Sequence, residues 1–227
     1  MQNNERKQIR LNWQKIIPAG ELGSPEHAEF LNKNGGVYLW IFDGTPNRVC
    51  NIGEAGCFSD RFGQHKKLFE VAGYTVCNLE KDQDWLKFVA EHLHEKTIQE
   101  INDGGKIRIP TAERPTATDS NDEHKKNSLA FFSKLKFAFA TIEPNSENTV
   151  EGRDMIEAAL IYGMRDLYKA ESGCRLITRG GQERLVGHIS RKPSVSFSFE
   201  HIGEAAKLLP PDFLKVVRYP VTTGKED

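Results

Sequence analysis

Residues 36–65 read GVYLWIFDGTPNRVCNIGEAGCFSDRFGQH, a run in which strand, turn, strand and helix signals follow one another with almost no spacer. Val37 to Phe42 and Val49 to Ile52 are rich in β-branched and aromatic residues, and Asp43-Gly44-Thr45-Pro46-Asn47 between them is turn chemistry. An antiparallel hairpin is expected. Gly53 and Gly56 bracket a sharp break, after which Phe58, Phe62, Leu68 and Phe69 recur at helical spacing, with Ser59 or Asp60 available to cap the first turn. Arg61 and His65 stand one turn apart on the same edge of that apolar stripe, where their polar ends can reach toward the hairpin.

A chain of 227 residues with 38% apolar content suffices for one core with insertions, and a single domain over residues 1–227 is expected. The formal charge of -1 averages unlike segments. Residues 1–16 carry Arg6, Lys7, Arg10 and Lys15 against Glu5 alone, and residues 173–193 carry Arg175, Arg179, Arg184, Arg191 and Lys192 against Glu183 alone. Either stretch suits a phosphate-facing surface, and either suits a face that its charges merely keep solvated. Cys50, Cys57, Cys77 and Cys174 form no Cys-x-x-Cys pair and no secreted disulfide pattern, and no signal peptide precedes them. No apolar run approaches the roughly 20 residues that span a bilayer. A cytoplasmic protein without membrane contact is expected. His92 and His94 are two apart on an expected helix and diverge, which is poor geometry for zinc.

The N-terminal region through Phe30 reads as partly helical, with interruptions at Pro18-Ala19-Gly20 and Gly23-Ser24-Pro25. Leu86, Val89, Leu93 and Ile98 give an amphipathic helix from Trp85 to Ile101, and the polar stretch from Lys106 to Lys126 reads as a long loop. Leu135, Phe137 and Phe139 alternate with Lys136 and Ala138 to give a third strand through Ile142. Next, TVEGRDMIEAALIYGMRDLYKA places Ile156, Ala159, Leu160, Gly163 and Leu167 on one helical face, with Glu157 on its flank and Arg153 and Asp154 on the open polar side. SVSFSF alternates strictly through Val195, Phe197 and Phe199, and Leu214 to Val221 is a candidate for a further strand.

Taken in order, the strand tripeptide Gly36-Val37-Tyr38, a second strand carrying Asn51-Ile52-Gly53, the R-x-x-x-H pair Arg61 and His65, and I-E-A-A-L-I at residues 156–161 resemble the GIY-YIG nuclease family. The resemblance implies an α+β fold with a small three-stranded antiparallel sheet flanked by helices. Its core would span about 35–72 and 130–170, with an insertion at about 75–129 and a C-terminal, β-containing extension at about 171–227. It further implies a metal-dependent endonuclease that hydrolyses DNA phosphodiester bonds, a restriction or defence enzyme leaving 5′-phosphate and 3′-hydroxyl ends. Mg2+ or Mn2+ would be the cofactor and double-stranded DNA the partner.

By this resemblance Tyr38 takes a proton from water, which a phenol of pKa about 10 can do only beside positive charge. Arg61 offers phosphate oxygens its fork of donors, and His65 hydrogen-bonds Tyr38 or a phosphate, or relays a proton. Glu157 is the single metal-ligating carboxylate, in the manner usual for Mg2+. A palindromic target would require two sites and hence a homodimer.

Asn51 stands where the family usually has its second tyrosine, and it can hydrogen-bond but not ionise, so its place in the site is secondary. No asparagine follows Asn148, where the family tends to carry one after the glutamate helix, which leaves Arg175, Arg179 or Gln182 as substitute substrate contacts. Glu54, directly after Asn-Ile-Gly, reads as a surface loop residue rather than a second acidic group of the site. Two alternatives stand beside the endonuclease. One is a nucleic-acid-binding protein with a degenerate, inactive GIY-YIG fold, favoured by Asn51. The other is a nuclease for RNA or branched DNA, which would share the site and differ only around it.

Overall fold

The alternating runs of the hairpin and of Leu135 to Ile142 do pair, but inside a sheet larger than three strands. The structure, a computed structural model, describes residues 5–42, 48–71, 122–170 and 195–220. In chain order the elements are β1 (Glu5–Pro18), α1 (Pro25–Lys33), β2 (Gly36–Phe42), β3 (Arg48–Ala55), α2 (Phe58–Glu70), α3 (Asp122–Ser133), β4 (Leu135–Glu143), α4 (Val150–Ala170), β5 (Val195–Ile202) and β6 (Arg218–Pro220). The six strands form one mixed sheet in the order β3-β2-β4-β1-β5-β6, with β1 and β5 parallel and the other neighbours antiparallel. The expected three-stranded core is therefore the β3-β2-β4 half of an α+β sheet, and the C-terminal β segment extends that sheet instead of standing apart from it.

The N-terminal segment corrects the helical reading. β1 is a 14-residue strand whose Ile9, Leu11 and Trp13 are fully buried, because it lies inside the sheet with β4 on one edge and β5 on the other. Ladder bonds on both edges outweigh the indifferent strand propensity of its Gln, Lys and Arg residues. Register slips between Trp13 and Lys15, and this irregularity turns Ile17 to the opposite face.

Each face carries its own core. On one, Val37, Leu39, Ile41, Ala138, Ala140, Phe197 and Phe199 pack beneath Ile156, Ala159, Leu160 and Met164 of α4. On the other, Tyr38, Trp40, Phe137 and Phe139 meet Leu31 of α1, Phe58, Phe62 and Phe69 of α2 and Phe131 of α3. The second core is aromatic, with Phe58 and Phe139 rings 4.9 Å apart, and each such buried ring contributes about 1.5–3 kcal/mol by area.

Three local expectations are also revised. The N-cap of α2 is Cys57, with no side-chain cap, since burial of Phe58 starts the helix early and leaves Ser59 and Asp60 within its first turn; Leu68 is exposed. Helix α3 begins at Asp122, inside the stretch expected to be loop, and docks on α2 where the Ser128 hydroxyl donates to the Phe69 carbonyl at 2.8 Å. Of the expected strand from Leu214 to Val221, the described residues 214–220 are strand only at Arg218–Pro220, because Pro210-Pro211 first sets up a helical turn at Pro211–Leu214. The end of the described chain is pinned by His201, which accepts from Trp13 Nε1 at 3.1 Å and donates to the Val216 carbonyl at 3.1 Å. The helix expected from Trp85 to Ile101, with His92 and His94, lies outside the described residues. Among the described residues no helix is long and apolar enough to cross a membrane.

Candidate active site

Tyr38 stands opposite Gly53 in the β2-β3 ladder, and its phenol lies across that glycine toward the open edge of the sheet. A Cβ on Gly53 would occupy the space of the ring's Cζ and hydroxyl, so this position must lack a side chain. Gly53→Ala is expected to displace the phenol from His65 and Arg61 and cost about 1–3 kcal/mol in urea unfolding. An alanine variant as stable as wild type would show that the ring has another resting place.

Helix α2 brings two partners to the phenol. Its oxygen lies 2.7 Å from His65 Nε2 and accepts from Arg61 Nε at 3.1 Å. Burial, and then the Arg61 charge, lowers the His65 pKa from 6.5 to about 3, so the imidazole is neutral near pH 7. The Arg61 donor directs the hydroxyl hydrogen to Nε2, which assigns that nitrogen as acceptor and puts the imidazole proton on Nδ1. Trp40 abuts His65 edge-on, ring centroids 4.7 Å apart, and fixes its plane. Arg61 is itself exposed and donates from Nη1 to Gln64 Oε1 at 3.0 Å.

From the opposite face α4 supplies Glu157, half-buried. Its pKa is raised from 4.5 to about 8, first by burial, then by the nearby charges of Glu54 and Asp154, while Arg61 pulls it down. The Arg61 charge reaches Glu157 because β3 is an edge strand, so groups from both helical layers converge at its rim. Arg61, His65 and Tyr38, singled out by sequence, are thus in hydrogen-bond contact, and Glu157 lies where the Arg61 charge is felt. Asn51 sits half-buried opposite Trp40, on the same face of β3 as Gly53.

Two residues were misjudged from sequence. Arg153 does not point to the open polar side; it is buried, and its Nε donates to Glu54 Oε2 at 2.8 Å while Nη1 donates to the Asn148 carbonyl at 3.0 Å. Glu54 is correspondingly no free loop residue but part of β3, tied to α4. The available signals were an arginine four residues before the glutamate and an acidic residue directly after Asn-Ile-Gly. Gln64, the partner of Arg61, was also passed over; its i+3 spacing was the clue.

Two of the N-terminal cations form ion pairs. Lys7 pairs with Glu147 at 3.0 Å and Arg10 with Glu200 at 2.9 Å. Arg175, Arg179, Arg184, Arg191, Lys192 and Gln182 lie outside the described residues. Among the described residues no group of three or more His, Cys, Asp or Glu side chains could hold a metal ion. What is present suits a hard divalent cation bound by one carboxylate: Glu157 is half-buried beside the second acidic charge of Glu54, and a dication would relieve their mutual repulsion. No protein-family model, curated protein or solved structure matches the chain.

Proposed function

We propose that this protein is a metal-dependent endonuclease that hydrolyses DNA phosphodiester bonds, as its likeness to the GIY-YIG pattern implies. The observation that carries the reading is the phenol of Tyr38, held between a neutral His65 acceptor at 2.7 Å and the Arg61 guanidinium at 3.1 Å. A strand tyrosine needs neither partner for packing. Together they orient the hydroxyl and supply a positive charge for the phenolate.

In the proposed reaction Tyr38, its hydroxyl oriented by His65 Nε2 and its phenolate favoured by the Arg61 charge, gives up its own proton to solvent and then takes a proton from water as the water oxygen bonds to phosphorus. The bond from phosphorus to the 3′ oxygen breaks, and that oxygen leaves and takes a proton from solvent, giving 5′-phosphate and 3′-hydroxyl ends. Arg61, exposed beside the phenol, would donate to phosphate oxygens as their charge grows. Glu157 would hold Mg2+ or Mn2+, which when bound supplies Lewis-acid stabilisation of that charge and of the leaving oxygen. The partner is double-stranded DNA, cut by a homodimer where the target is palindromic, in a restriction or defence setting in the cytoplasm.

Incubation of the protein with supercoiled plasmid and a long phage DNA in Mg2+, Mn2+ or EDTA tests this. Discrete fragments that need metal are expected. Absence of cutting with either ion, on duplex, branched DNA and RNA alike, would sink it. A second reading, a nucleic-acid-binding protein without hydrolysis, is favoured by one observation: Asn51 presents a half-buried amide where an ionisable phenol would complete the site. Retention of DNA in a filter assay at unchanged DNA length would support that reading.

A further inference from the structure

Arg153 and Glu157 are four residues apart on α4, the spacing at which helix side chains reach one another. An arginine there could neutralise Glu157 from its own helix. The guanidinium turns the other way. It donates to Glu54 Oε2 at 2.8 Å and to the Asn148 carbonyl and Oδ1 at 3.0 and 3.3 Å. Room for it exists because Gly56 has no side chain; a Cβ there would stand 3.2 Å from Arg153 Nη2. The side chains of Arg153 and Glu54 are only 10% and 25% exposed, so their attraction is screened less than that of a surface pair. The hydrogen bonds to Asn148 satisfy further donors of the guanidinium, as a largely buried ion pair requires.

We propose that Glu54 is a positioning residue for the metal site: it retains Arg153 on the strand side and so leaves Glu157 open to a divalent ion instead of paired within its own helix. This rests on the reading of Glu157 as the metal-ligating carboxylate. Glu54 is itself not required as a ligand. Its work is to occupy an arginine that would otherwise compete with the metal for Glu157.

Two measurements on the full chain test the proposal. In the metal-free crystal structure of Glu54→Ala, the Arg153 guanidinium is expected to move to within about 4 Å of the Glu157 carboxylate, the distance of an ion pair. In Mn2+ titrations, Glu54→Ala is expected to weaken binding about tenfold, Arg153→Met to change it less than about threefold, and the double variant to return to within about threefold of wild type. Simple loss of negative charge predicts instead that the two substitutions act independently. Additive effects, or an Arg153 that stays on Asn148 when Glu54 is gone, would overturn the proposal. Arg153→Gln, which keeps a donor for the Asn148 carbonyl, serves if the methionine variant does not fold. A wild type that binds no Mn2+ would refute the metal reading of Glu157, and the Glu54→Ala structure would still decide whether Glu54 holds Arg153.

Discussion

Glu157→Gln is expected to lose metal-dependent cleavage by at least about 10³-fold while making the metal-free protein more stable than wild type at pH 8. The two effects have one cause. Burial, then Glu54 and Asp154, hold this carboxyl at a pKa of about 8 against 4.5 for the free group, so the folded protein binds its proton more tightly than the unfolded chain does. That contribution to stability is complete below pH 4.5 and is lost as pH rises through 8. The amide of glutamine is neutral at every pH and loses nothing. With a discount for the partial solvent exposure of Glu157, the gain of the variant at pH 8 should be about 2 kcal/mol.

Urea unfolding in EDTA at pH 6.5, 7.25 and 8 measures it. His65 has the opposite sign, since its lowered pKa gives stability that is complete above 6.5 and lost as pH falls toward about 3, so it stays constant across that range. Parallel curves for wild type and Glu157→Gln would mean that the carboxylate is not strained in the fold. A variant that cuts normally would remove Glu157 from the reaction.

Arg61→Ala should lower the single-turnover cleavage rate by about 10³ while weakening DNA binding less than tenfold. The guanidinium holds Tyr38 through Nε and Gln64 through Nη1, and it is exposed where a phosphate would approach. In the proposed reaction its charge would act on the phenolate and on the developing anion at once, both of which matter more in the transition state than in the bound substrate. Lysine should rescue little, because a point charge on a flexible stem cannot make parallel contacts to phenol and phosphate. Rates for Arg61→Ala within tenfold of wild type, with metal and DNA saturating, would exclude this role.

The hairpin, α2 and the meeting of Tyr38 with Arg61 and His65 were legible because they are local: the histidine is 27 residues from the tyrosine, and hydrophobic period plus turn residues settle the path between. β1 was not, since its identity depends on partners whose side chains are up to 190 residues away, as in the Arg10–Glu200 pair. Its alternation is real, but polar residues on the face left uncovered by helices make it read as amphipathic in either period. Arg153 and Glu54 escaped for a similar reason. They are 99 residues apart, and a helical wheel that shows only α4 assigns the arginine to solvent. Glu157 lay between these cases: its half-buried place was visible on the wheel, whereas the acidic neighbour that strains it was not.

The seam between β1 and β5 joins Glu5 to Val195 and Asn12 to Ile202, so the middle of the sheet is among the last parts that can zip up. Contacts of such long range slow folding, and until β5 arrives β1 presents a bare row of ladder groups to any passing strand. A ribosome-bound or proteolysed chain ending at residue 194 would have the phenol, guanidinium and imidazole in place and the carboxylate helix complete, yet it would carry that exposed seam. Truncation products of this protein should therefore partition to aggregates before they accumulate as loose fragments bearing an assembled set of reactive groups.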